Sequence, residues 1–243
     1  MKTLIIIPSR LSATRLPGKP LLKINGLSMI SHVFKKAEKA NIGDVVVAAE
    51  DQEIIDDVKK NGGQAILTQK DHKTGTDRIY EAFQKLEYKN IDLIMNLQGD
   101  EPLMNIEDIK KLNAQMIKNK SQLGTLASEI KDDVLYENEN VVKVNTSEQL
   151  NDQNFPEAIN FTRKVSKQNN NYHHLGIYCY KKETLEDFVS YKQSTNEIKN
   201  QLEQLRALDN NIIINVALAK SSPIGVDTEE DYLDIKKIME YKS

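Results

Sequence analysis

At 243 residues and 27.7 kDa the chain can bury a full core as a single domain with at most a small appendage, and it is too short for two large independent domains. Its 39% hydrophobic and 28% charged residues suit a soluble globular protein, and the lone Cys179 excludes an internal disulfide framework or a cysteine-rich zinc site. A net charge of −3 and a pI near 5.9 argue against a broad nucleic-acid surface, so no nucleic-acid partner is expected.

The first apolar run, Leu4 to Ile7, reads as a strand. Pro8 and Arg10 interrupt it too early for a signal peptide or a bilayer span, so no membrane insertion and a cytoplasmic location are expected. A helix near 28 to 40 follows, then a strand at Val45 to Ala49, a helix near 52 to 60 and a strand at Ala65 to Thr68. A helix near 76 to 87 and a strand at Ile91 to Leu97 complete this half. Short apolar strands alternating with amphipathic helices predict an α/β fold of Rossmann-like type, with a mainly parallel central sheet and helices on both faces. Beyond it lie a strand at Gly124 to Ile130, a polar, Asn-rich stretch around 131 to 172 and a strand at Leu175 to Tyr180. A helix near 197 to 208, a strand at Ile212 to Ala219 and a closing helix from about Thr228 end the chain. The whole reads as one domain over 1–243, with a small dimerisation subdomain at about 130–190.

In a parallel sheet, ligands bind where loops leave the carboxyl ends of the strands. Three such loops are chemically marked. Ser9 to Pro20 carries Arg10, Arg15 and Lys19 with no acid between them. Residues 1 to 37 hold seven cations and no acid against a whole-chain charge of −3, leaving −10 for the other 206. A field concentrated in this way attracts a small polyanion. The Gly18-Lys19 pair is not a Walker loop, because Ala13 and Pro20 stand where that motif needs Gly and Ser or Thr, and no Gly-x-Gly-x-x-Gly dinucleotide fingerprint occurs. Pro17 and Pro20 predict that Lys19 is displayed from an extended loop rather than a helical turn. In the second loop, Thr74-Gly75-Thr76-Asp77-Arg78 opens a helix, either as an ordinary cap or as a site for a base edge or phosphate.

The third loop, Gln98-Gly99-Asp100-Glu101-Pro102, offers a carboxylate for Mg²⁺ or simply a turn-forming Asp. Asp227, before the capping arrangement Thr228-x-x-Asp231, is structural if taken alone and a second Mg²⁺ carboxylate if paired with Asp100. His173 and His174 find no second His or Cys at ligand spacing, which leaves a polar substrate contact or a satisfied core histidine. Along 197 to 208, Leu202, Leu205 and Leu208 recur as a buried stripe, which places Glu203, Gln204 and Arg206 on the surface.

Taken in order, these segments resemble the 3-deoxy-manno-octulosonate cytidylyltransferase family, also called CMP-Kdo synthetase. They are Ile7-Pro8-Ser9-Arg10, Ser12-x-x-Arg15-Leu16-Pro17-Gly18-Lys19-Pro20, Gly75-Thr76-Asp77-Arg78, Leu97-Gln98-Gly99-Asp100-Glu101-Pro102, His174-Leu175-Gly176-Ile177-Tyr178, Leu202-Glu203-Gln204-Leu205-Arg206 and Val226-Asp227-Thr228. The resemblance implies transfer of CMP from CTP to the anomeric hydroxyl of an acidic eight-carbon sugar, with loss of pyrophosphate, for lipopolysaccharide assembly. It implies Mg²⁺ held by Asp100 and Asp227, and a homodimer. Arg10 and Lys19 would contact the triphosphate, with Arg15 nearby and Ser12 lining the loop. Thr74 and Arg78 would lie near the cytidine, and Gln98 near nucleotide and sugar. His174, Glu203, Gln204, Arg163 and Tyr178 would recognise the sugar.

Two departures fall in the sugar half. Asn160-Phe161-Thr162-Arg163 followed by Val165-Ser166 replaces the family's Tyr-Phe-Ser-Arg and Ile-Pro, and Asn200 stands where Glu is frequent. A variant ulosonate, such as an 8-amino form or a nonulosonate, is therefore an alternative substrate. A catalytically silent CTP-binding module is a second alternative. A hydride-transfer enzyme is disfavoured by the missing glycine fingerprint.

Overall fold

The computed structural model describes residues 1–12, 15–164, 169–223 and 225–241. In chain order the elements begin with β1 (Thr3–Ser9), β2 (Lys23–Ile24), β3 (Leu27–Ser28), α1 (Met29–Ala40), β4 (Gly43–Ala49), α2 (Gln52–Lys60), β5 (Ala65–Leu67), α3 (Gly75–Lys85) and β6 (Leu93–Asn96). They continue with α4 (Ile106–Asn119), β7 (Leu123–Ser128), α5 (Asp133–Glu137), β8 (Lys143–Thr146), β9 (Ala158–Thr162), β10 (Asn171–Lys181), α6 (Lys182–Ser190), α7 (Thr195–Asn200), α8 (Leu205–Asp209), β11 (Ile214–Leu218) and α9 (Glu229–Glu240). The chain divides into two compact units, one of residues 2–91, 95–109 and 223–243, the other of residues 92–94 and 110–222 together with Met1. The stretch 130–190 lies inside the second unit.

In the first unit β1 pairs in parallel with β4, and β4 with β5, in the register Ser9↔Ala49↔Leu67. Every residue of β1 is buried, as a central parallel strand requires. Each fully buried Leu or Ile there contributes roughly 1.5–3 kcal/mol. Helix α1 packs on β1 and β4, α2 on β4 and β5, and α3 on β1 and β4. The Ser28 side chain caps α1 by accepting from the Ser31 amide, and the helix stops at Asn41, whose φ of 50° is one of the left-handed conformations that asparagine tolerates.

The common register brings the loops that follow β1, β4 and β5 to one edge. Lys19 departs from its sequence expectation: Lys19–Leu21 is a 3-10 turn, entered through Gly18 at φ 73°. Pro20 fits because proline is tolerated in the first turn of a helix, where its missing N–H would have no partner.

In the second unit β7 pairs in parallel with β11 and antiparallel with β10, and β10 and β9 both pair antiparallel with β8. A register shift between Leu175 and Tyr178 marks a bulge around Gly176. The polar, Asn-rich stretch 131 to 172, for which no elements were expected, holds α5, β8, β9 and the start of β10. Its strands are short and rich in Asn and Thr, so pairing partners rather than hydrophobic alternation define them. Helices α4 and α6 were not anticipated either, although Ile109, Leu112 and Met116 recur at helical spacing and are fully buried.

The single helix expected near 197 to 208 is two helices, α7 and α8, because Gln201 takes a left-handed φ of 53°. That break ends the 3.6-residue periodicity, so the predicted surface residues do not stay on the surface. Gln204 and Arg206 are buried, while Leu208 is only partly so. Arg206 tolerates burial because its Nε and Nη2 donate to Glu197 at 2.8 and 2.5 Å and its guanidinium lies 4.6 Å from the Phe188 ring centre. Val165, Ser166, Lys167 and Gln168 lie outside the described residues, so the departure at Val165-Ser166 has no structural account.

Candidate active site

A cavity of about 370 Å³ opens at the carboxyl ends of β1, β5 and β6, within the size range of small-molecule sites. Ser9, Arg10, Arg15 and Lys19 line it from the first loop, Lys73, Thr74 and Arg78 from the start of α3, and Gln98, Asp100 and Asp227 from the remaining loops. All belong to the first unit. Ser12 is not among the lining residues; its hydroxyl donates to Glu50 Oε1 at 3.2 Å.

Lys19 is the centre of the geometry. Its Nζ donates to Asp100 Oδ2 at 2.7 Å, to the Val226 carbonyl at 2.7 Å and to Asp227 Oδ1 at 3.4 Å. Arg15 Nη2 donates to the other oxygen of Asp227 at 2.9 Å. Two carboxylates 127 residues apart thus converge on one cation position. The chain builds this locally. Asp231 Oδ2 accepts from the Asp227 amide at 3.0 Å and the Thr228 amide at 2.8 Å, completing the capping box of α9 and turning the Asp227 carboxylate away from the cap. The Val226 amide donates to the Asp100 carbonyl at 2.9 Å, holding the two acidic loops together. Gly99 is needed for close approach: a Cβ there would lie 3.0 Å from the Pro8 carbonyl oxygen and 3.0 Å from Ile30 Cδ1.

Thr74 acts as the cap of α3, its side chain accepting from the Asp77 amide at 3.1 Å, while it also lines the cavity. Arg78 is 3% exposed and braces the loops: Nη1 donates to Thr68 Oγ1 at 2.6 Å and to the Gln69 carbonyl at 3.0 Å, and Nη2 pairs with Glu50. Gln98 Nε2 donates to Asn96 Oδ1 at 3.1 Å, which orients its amide.

Of the residues expected at the sugar, Gln98 lines the first-unit cavity and the others lie in the second unit. His174 is buried, and burial, assisted by neighbouring His173, pushes its pKa down to about 3, so the ring is neutral. The Thr125 hydroxyl has the Ile177 carbonyl at 2.7 Å and the Leu175 carbonyl at 3.2 Å to donate to, so at 3.0 Å it accepts from His174 Nε2 and fixes the proton there. Of the two sequence readings, this is the satisfied core histidine. The Tyr178 ring lies 5.4 Å from that of His174. Arg163 donates to the carbonyls of Glu139, Asn140 and Gln201 at 3.3 to 3.5 Å, and Glu203 and Gln204 sit in the turn before α8.

The cytidylyltransferase family profile matches residues 4–218. A 3-deoxy-manno-octulosonate cytidylyltransferase of Rhodopseudomonas palustris (strain BisB5) is 43% identical over 232 residues, covering 94% of each chain. The chain belongs to the 3-deoxy-manno-octulosonate cytidylyltransferase family. The protein of that name from Paramagnetospirillum magneticum (strain ATCC 700264 / AMB-1) is 41% identical over 231 residues, again covering 94% of each chain. Among solved structures, a CMP:2-keto-3-deoxy-manno-octonic acid synthetase complexed with CTP superposes with a TM-score of 0.91 at 32% identity, over 100% of both chains. A cytidylyltransferase from Leptospira borgpetersenii, at 18% identity and a TM-score of 0.65, covering 99% of this chain and 87% of its own, shares the fold.

Sequence reasoning passed over His72, which lines the cavity of this cytidylyltransferase, and the carboxylates Glu50 and Glu81, which pair with the cavity residues Arg78 and His72. His72 lines the cavity and pairs with Glu81, which also accepts from the Gln69 amide at 3.0 Å and pairs with Lys85 at 2.6 Å. Burial alone would raise the Glu81 pKa, but the hydrogen bonds from Lys85, His72 and the Gln69 amide outweigh it and hold the carboxyl at about 2, below its ordinary 4.5. A depressed folded-state pKa stabilises above the unfolded value and is lost as pH falls through the folded one. Glu81→Gln should therefore cost on the order of 3 kcal/mol at pH 7. The difference from wild type should shrink as pH falls from 4.5 and close near pH 2. Urea unfolding of both proteins at pH 7 and pH 3 measures it, and equal differences at the two pH values would remove Glu81 from this role.

Proposed function

We propose that this chain transfers CMP from CTP to the anomeric hydroxyl of 3-deoxy-D-manno-octulosonate, releasing pyrophosphate and forming CMP-Kdo for lipopolysaccharide biosynthesis. The observation that carries the reading is the cavity in which Arg10, Arg15 and Lys19 face the converging carboxylates Asp100 and Asp227. Arg10 and Arg15 offer forked donors that match phosphate oxygens, and Lys19 offers a mobile point charge. The sugar hydroxyl attacks the α-phosphorus and the bond to the oxygen bridging to the β-phosphate breaks, pyrophosphate leaving with the electron pair while the hydroxyl proton passes to solvent. Such a displacement is catalysed chiefly by positioning and charge neutralisation, which these residues supply.

Three oxygens, from Asp100, Asp227 and the Val226 carbonyl, lie within 3.4 Å of the Lys19 ammonium. Hard oxygen donors with two carboxylates suit Mg²⁺, which takes one or two carboxylates and completes its shell with substrate phosphates and water. Asp100 and Asp227 would hold it, and when bound it would supply polarisation of the α-phosphate and acidification of the attacking hydroxyl. Thr74, Arg78 and Gln98 line the same cavity and would face the nucleotide. No helix among the described residues is long and apolar enough to cross a membrane. We propose that the enzyme is cytoplasmic and a homodimer.

Initial rates of pyrophosphate release with CTP and a panel of ulosonates test the reading. Kdo should give the highest kcat/KM. A higher value with an 8-amino form or a nonulosonate would transfer the assignment to that sugar, as the departures at Asn160 and Asn200 would then explain. CTP binding without release from any ulosonate would identify a silent module.

A further inference from the structure

Glu50 and Asp51 follow β4, and neither belongs to the basic loop, the metal pair or the sugar residues. The register Ser9↔Ala49↔Leu67 places the residues that come next, Arg10, Glu50 and Thr68, side by side, with Glu50 in the middle. Its carboxylate faces both neighbours. Oε1 accepts from the Ser12 hydroxyl of the basic loop at 3.2 Å, and Oε2 pairs with Arg78, whose Nη1 holds Thr68. The side chains of Glu50 and Arg78 are 8% and 4% exposed. Charge-assisted bonds at such burial hold geometry more tightly than the same bonds in water.

Asp51 supplies an independent observation. It is the N-cap residue of α2, where a carboxylate ordinarily accepts from the first-turn amides, yet its side chain makes no capping bond. Instead Oδ2 accepts from the Leu11 amide at 2.7 Å, forty positions earlier in the chain. Both carboxylates of the pair are therefore turned toward the segment that carries Arg10.

We propose that Glu50 and Asp51 are positioning residues for the nucleotide. They anchor the β1 loop at Leu11 and Ser12 and lock Arg78, so that the cationic grip is in place before CTP arrives. A net of fixed donors loses less freedom on binding than a loop that must be ordered, and the gain appears as nucleotide affinity. The inference rests on the nucleotide-site reading above, because it needs the loop that carries Arg10 and the loop that Arg78 braces to be the CTP contacts.

Isothermal titration of CTP and steady-state kinetics on Glu50→Gln provide the test. The Kd and KM for CTP should rise about tenfold, the effect of one lost charge-assisted bond. The KM for the sugar acid and kcat should stay within about twofold, a split that general loosening of the fold would not produce. A CTP Kd within twofold of wild type in folded Glu50→Gln overturns the proposal. Should that variant not fold, Ser12→Ala and Asp51→Asn each remove only a loop contact, and unchanged CTP affinity in both overturns it equally. Lys19→Met serves as the site control: if it binds CTP as wild type does, the nucleotide-site reading itself fails, whatever Glu50 does.

Discussion

Asp100→Asn is expected to lower kcat about a hundredfold or more while the protein stays folded. Asparagine keeps the shape of the side chain and can still accept from Lys19, but it removes one of the two negative charges that converge on the cation position. The fold should tolerate the change, because the Asp100 side chain is 32% exposed and the loop itself is held by a backbone bond from the Val226 amide to the Asp100 carbonyl. A thermal melt within a few degrees of wild type, together with weakened Mn²⁺ binding in the presence of CTP, completes the expected result. Wild-type turnover in a folded variant would take Asp100 out of the reaction.

Lys19→Met should produce two opposite effects, and that pairing makes it diagnostic. Loss of the ammonium removes a point charge from the triphosphate grip, so the KM for CTP should rise about tenfold or more. The same loss strips Asp100 and Asp227 of the cation that now neutralises them. At an effective dielectric near 20, one charge at contact distance of another is an interaction of about 4 kcal/mol, so the vacated carboxylates should bind a divalent ion more readily. Mn²⁺ titrated without nucleotide, followed by its paramagnetic resonance signal, should bind about tenfold more tightly to Lys19→Met than to wild type. Equal Mn²⁺ affinity would mean that Lys19 does not occupy the metal position, and weaker CTP binding alone would leave Lys19 a phosphate contact only.

The βαβ half was legible because its signals are local. Leu4 to Ile7 and Val45 to Ala49 are uninterrupted apolar runs, Thr74 is a sequence-visible cap, and the expected strands and helices up to β6 lie within a few residues of those observed. The second half was less so. Strands β8 and β9 carry no clean alternation, and the break at Gln201 follows no glycine or proline, so a helix pattern ran on where the chain turns. Arg206 shows the consequence: a charge is placed on the surface by periodicity and buried by a partner, Glu197, that periodicity cannot see.

Composition and periodicity by themselves determined an α/β chain whose positive charge is concentrated in residues 1 to 37, with Asp100 and Asp227 chemically marked, and the order of its motifs carried the resemblance to the cytidylyltransferases. Those are properties of residues along the chain. Only the tertiary structure decided that the two carboxylates meet at Lys19, that Arg78 is a buried brace rather than an open cation, and that Glu50 joins the loops after β1 and β5. The physical reason is the parallel register: strands far apart in sequence end level with one another, so which side chains share a charge is set by Ser9, Ala49 and Leu67 lying side by side.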